Sequence, residues 1–131
     1  MTRAELGRIG EDIATQYLID KGFTIIERNY NLHHGCEIDI IARKGTCIHY
    51  VEVKTRRFYV DVDIEPQEAI TYKKLMNINK ARITFERSHR LWNIPYQIDS
   101  IAVVYKDNAN YEVNMYEDIA NDVYIISALH H

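Results

Sequence analysis

The sequence predicts an α/β domain, a mixed β-sheet flanked by α-helices. Two observations carry this. Apolar residues recur at helical spacing in two stretches, one at the N-terminus and one past the middle. Between and after them lie short extended runs bounded by turn residues, so the elements read α-β-β-β-α-β-β. A length of 131 residues suits one domain with one core. The body is expected over about residues 3–105, with residues 106–131 as a C-terminal strand and tail packed on it.

Residues 3–21 form the first expected helix. Leu6, Ile9, Ile13, Tyr17 and Leu18 recur at helical spacing, and Gly22 is a natural stop. FTIIERN (23–29) follows as a short strand, then a polar loop over 30–36. Residues 37–43 and 47–54 read as two strands, and 55–65 as a loop with some extended character. Pro66 suits the first turn of a helix running to about Ser88, with Ala69, Tyr72, Leu75, Met76 and Ile83 as its apolar stripe. QIDSIAVVY (97–105) and YEVNMY (111–116) are further strands, and VYIIS (123–127) is a last strand or a packed tail.

The pair of strands in EIDIIARKGTCIHYVEVKTRR (37–57) carries the chemistry. A two-residue turn at Lys44-Gly45 or Gly45-Thr46 sets Asp39 opposite Tyr50 or Glu52. Side chains alternate, so Asp39, Glu52 and Lys54 share one face while Ile38, Ile40, Ala42, Val51 and Val53 share the other. A three-residue turn would place Asp39 among the valines, so burial selects the register that clusters the charges. Two adjacent carboxylates repel. A hard divalent cation, Mg²⁺ or Mn²⁺, removes that cost by taking their oxygens as ligands. It also activates water and shields charge on a phosphodiester, and Lys54 is placed to orient that water. The competing reading of the same residues is a salt-bridged solvent face.

Composition bounds the partners. Hydrophobic residues make up 47% and charged residues 27%, as in a globular chain. The apolar runs are too short to cross a bilayer, the N-terminus lacks a signal-peptide core, and two cysteines make no disulfide framework. The expectation is a cytoplasmic protein that does not meet membranes. The net charge is −3, but residues 54–90 hold nine Lys or Arg against five acids, a locally basic region that could face phosphates or simply solvent. His33, His34, Cys36, Cys47 and His49 superficially suggest zinc. The hairpin registers, however, put Cys36 and Cys47 too far apart to share one ion.

The runs GRIGEDIATQYLIDKGFTIIERNY, EIDIIA, VEVKTRR, EPQEAITYKK and YQIDSIAVV, in that order, resemble the YraN-type family of uncharacterised proteins over Gly7 to Val104. The resemblance implies a restriction-endonuclease-like core, similar to archaeal Holliday-junction resolvases and carrying the PD-(D/E)xK nuclease motif. It implies Asp39 and Glu52 as ligands of Mg²⁺ or Mn²⁺, Glu11 as a third acid at the metal, and Lys54 as the catalytic lysine. Glu68 matches an accessory acid at the second helix, and Lys74 a lysine just after it. Arg56, Arg57, Lys73 and Lys74 are the candidate phosphate contacts. Two departures stand out: Ile38, not proline, precedes Asp39, and Cys36 takes the place of a glycine. The implied activity is metal-dependent hydrolysis of DNA, branched or otherwise structured, and the analogy admits a homodimer. The rival from another class is a non-catalytic nucleic-acid-binding or scaffold protein that keeps the fold.

Overall fold

The computed structural model describes residues 1–58 and 70–121. Helix α1 spans Arg3–Asp20. Its start is fixed by a capping box, in which the Thr2 hydroxyl accepts the Glu5 N–H and the Glu5 carboxylate accepts the Thr2 N–H. Three strands follow: β1 (Thr24–Asn31), β2 (Glu37–Lys44) and β3 (Cys47–Arg57). Helix α2 (Tyr72–Ser88) then leads to β4 (Tyr96–Asp107) and β5 (Asn110–Tyr116), with a short 3-10 turn at Ile119–Asn121.

The five strands form one mixed sheet in the order β1-β2-β3-β4-β5. β3 and β4 pair in parallel and every other pair is antiparallel. Parallel neighbours need a long crossover, and the chain between β3 and β4 includes α2. One apolar cluster combines Leu75, Ile78, Ala81 and Phe85 of α2 with Ile38, Ile41, Ile48, Tyr50 and Ile98 of the sheet. The other combines Ala14 and Leu18 of α1 with Ile40, Ala42, Val51, Ile101 and Val103. Each helix therefore covers one face. This is the α/β, restriction-endonuclease-like architecture expected, with a central mixed sheet flanked by helices.

Several boundaries differ from expectation. α2 begins at Tyr72, where the Thr71 hydroxyl accepts the Lys74 N–H, and not at Pro66. Pro66 and Glu68 lie outside the described residues, as does VYIIS (123–127). The buried stripe of α2 is Leu75, Ile78, Ala81 and Phe85, while Tyr72 and Met76 face solvent. Two apolar stripes overlap on this helix, and the one carrying Ala81 is the one buried. α1 likewise buries Leu6, Gly10, Ala14 and Leu18. A Cβ on Gly10 would stand 1.7 Å from Thr55 Oγ1, so this glycine lets the helix lie directly on β3. β3 continues through Arg57, further than expected.

Candidate metal and nucleic-acid site

Residues Lys44 and Cys47 pair, leaving Gly45-Thr46 as a two-residue turn. Gly45 has φ 61°, which suits the first central position of a type II′ turn. The ladder runs from Lys44↔Cys47 to Ile40↔Val51, the second of the two registers that burial favours. Beyond Ile40 the strands part. There the Asp39 carboxylate, not a backbone carbonyl, accepts the Val53 N–H at 2.7 Å. Alternation breaks at the same point. Ile38 joins the α2-side cluster, whereas Ile40, Ala42, Val51 and Val53 join the α1-side cluster. The expected shared face for Ile38 and Ile40 is therefore corrected. The adjoining strand is also distorted here, with Asn29 at φ 52°.

Asp39 and Glu52 are buried at 6% and 5% exposure. Burial pushes the Asp39 carboxyl up to about 8, and the neighbouring Glu52 charge adds to the shift. Burial also raises Glu52, opposed by the ammonium groups of Lys74 and Lys54. Lys74 Nζ lies 3.3 Å from Glu52 Oε1. Glu52 Oε2 is buried with no hydrogen-bond partner among the described residues. Ser100, which pairs with Glu52 across the parallel ladder, also has a buried hydroxyl without a partner. Burial would lower the Lys74 ammonium, but the Glu52 carboxylate beside it wins and holds it above its ordinary value.

The other expected residues fall around this pair. Glu11, on α1 next to Gly10, is half-buried. Burial raises its carboxyl, against the Arg28 guanidinium 3.9 Å away and a hydrogen bond from Asn29. Its charge reaches Asp39. Lys54 is exposed at the edge of the site, and Arg56 and Arg57 continue the same strand, half-buried. Lys73 is exposed on α2. Lys74, a candidate phosphate contact, forms an ion pair with Glu52. Glu37 was not singled out from the sequence. It raises the carboxyls of Glu11, Asp39 and Glu52, so a fourth acid borders the site. Its position two residues before Asp39 was the available signal.

The donor set fits a hard divalent cation. Two buried carboxylates press against each other, one protonated near neutral pH, and one oxygen is left unsatisfied. Cys36 and Cys47 stand apart, with Cys36 Sγ against Asn77 of α2 and Cys47 Sγ against Gln97 of β4. His49 is buried with its ring edge-on to Phe23, and its Nδ1 lies 2.6 Å from Asp99 Oδ2.

The sequence profile of Uncharacterised protein family UPF0102 matches residues 10–103. This chain belongs to the UPF0102 family. A UPF0102 protein of Carboxydothermus hydrogenoformans is 36% identical over 120 residues, covering 91% of this chain and 98% of the relative. One from Dictyoglomus turgidum is 36% identical over 104 residues, covering 79% and 86%. One from Geotalea uraniireducens is 39% identical over 113 residues, covering 86% and 87%. The profile match includes Glu11, Asp39, Glu52, Lys54 and Lys74, so the whole described site lies within the UPF0102 region. Among the described residues, no helix is long and apolar enough to cross a membrane.

Proposed function

We propose that this UPF0102 protein is a cytoplasmic, metal-dependent endonuclease that hydrolyses DNA phosphodiesters, preferentially in branched or otherwise structured DNA. The observation that carries the reading is the buried pair Asp39 and Glu52 on adjacent strands, with Glu52 Oε2 lacking a hydrogen-bond partner among the described residues. Asp39 and Glu52 would hold Mg²⁺ or Mn²⁺, with Glu11 reaching it directly or through a water. When bound, the ion supplies an activated water and shields charge on the phosphoryl oxygens. Asp39 gives up its proton to become a ligand. Lys54, exposed two residues after Glu52, orients the attacking water and faces the developing charge. Arg56, Arg57 and Lys73 take phosphates flanking the scissile bond. Lys74 pairs with Glu52 in the metal-free chain and would be free to contact phosphate were a cation to take over that charge. By analogy with resolvases, a homodimer would present two such sites to a junction.

The test incubates the protein with plasmid, single-stranded, flap and four-way-junction DNA plus Mn²⁺. The expected result is cleavage of at least one structured substrate, lost in Glu52→Ala. Absence of cleavage by a folded, metal-loaded protein would support the non-catalytic binding or scaffold reading instead.

A further inference from the structure

A second group of ligand-type side chains lies three residues back along β3 from Glu52, roughly 10 Å away and on the opposite face. We propose that His49, Asp99, Glu117 and Cys47 form a separate cation site suited to Zn²⁺. Ligand atoms of His49, Asp99 and Glu117 all lie within 4.8 Å of one another. Asp99 is fully buried, and its partners are His49 Nδ1 at 2.6 Å, Gln97 Nε2 at 2.9 Å and the Asp118 N–H at 2.9 Å. Among the described residues, no lysine or arginine side chain is one of these partners.

The Gln97 amide marks where that cation fits. Its Nε2 donates to Asp99 Oδ1 at 2.9 Å and to Glu117 Oε1 at 3.1 Å, bridging the two acids. Its Oε1 lies 3.9 Å from Cys47 Sγ. Swinging this side chain aside would open a space between the imidazole and the two carboxylates, on the side where Cys47 borders Gln97. Nitrogen and sulfur donors select zinc over magnesium, and four protein ligands close a tetrahedron. The ion would be structural, tying the starts of β3 and β4 to the segment after β5. This donor set differs in kind from the oxygen-only set at Asp39 and Glu52.

The experiment loads wild type and Glu52→Gln with Zn²⁺, desalts them, and measures zinc per chain. Both should retain one ion in the His49 site. Adding Glu117→Gln should weaken retention at least about tenfold in a competition with a chelator. With Co²⁺ in place of Zn²⁺, a thiolate-to-cobalt charge-transfer band should appear and vanish in Cys47→Ser. Glu117 is exposed and Cys47 half-exposed, so both variants should fold, which circular dichroism would verify. Three results would overturn the proposal. These are no retained zinc, zinc lost with Glu52→Gln alone, or zinc and cobalt signals unchanged by Glu117→Gln and Cys47→Ser.

Discussion

Asp39 is a carboxyl group raised from 3.8 to about 8 by burial and by Glu52. The folded chain binds this proton more tightly than the unfolded chain, so metal-free stability should fall as pH rises from about 4 to about 8. Thermal melting in the presence of a chelator should show that decline, and Asp39→Asn should flatten it. An unchanged slope in the variant would move the proton elsewhere. Lys74 makes a second prediction. Without it Glu52 loses its near cation, so Lys74→Met should destabilise the metal-free protein by about 1–2 kcal/mol, reduced from a fully buried pair because the lysine is partly exposed. The same change should tighten Mn²⁺ binding, because a competing cation is gone. Glu52 and Lys54 were legible in the sequence because they alternate with Val51 and Val53 along β3, whereas the placing of Asp39, where alternation in β2 breaks, was legible only in part. The Lys74 contact was not, since it joins residues 22 positions apart through packing that no local pattern encodes. Nor was the His49–Asp99 pair, whose two members lie on parallel strands joined by a long crossover.

At the scale of elements, the β2–β3 hairpin was readable because only an odd register kept valines and carboxylates apart. What hid from pattern was its divergence at Asp39, where a side chain replaces the ladder acceptor and turns Ile38 to the other face. The packing of α1 hid for a related reason. Its helical stripe was evident, but Gly10 reads as a weak helix residue until Thr55 is seen against it. Gly10→Ala should therefore cost about 1–3 kcal/mol through overpacking. Denaturant titration would measure this. Because Glu11 is the next residue, Mn²⁺ affinity should weaken as well. A neutral Gly10→Ala would mean that α1 can slide on β3 without consequence. The α2 stripe was misplaced because two apolar rows overlap on that helix, and propensity does not choose between them.

For the whole molecule, one sheet with a helix on each face leaves the Asp39–Glu52 pair where the β2–β3 ladder ends. Charge sums said little, since −3 overall conceals the locally basic residues 54–90, which begin at the end of β3. A cation bound only by the folded chain raises stability by mass action, about 2.7 kcal/mol at a hundredfold excess over Kd. For a domain of this size that is a Tm increase on the order of 10 °C. Scanning calorimetry with and without Mn²⁺ at pH 8 should show this increase, and Asp39→Asn should abolish it.

The most direct test is isothermal titration of the protein with Mn²⁺ at pH 8, repeated in buffers of different ionisation enthalpy and in Glu52→Gln. One oxygen-ligated site should appear, with release of a proton from the Asp39–Glu52 pair and at least about tenfold loss of affinity in the variant. Identical binding by wild type and Glu52→Gln, with no proton released, would contradict the account.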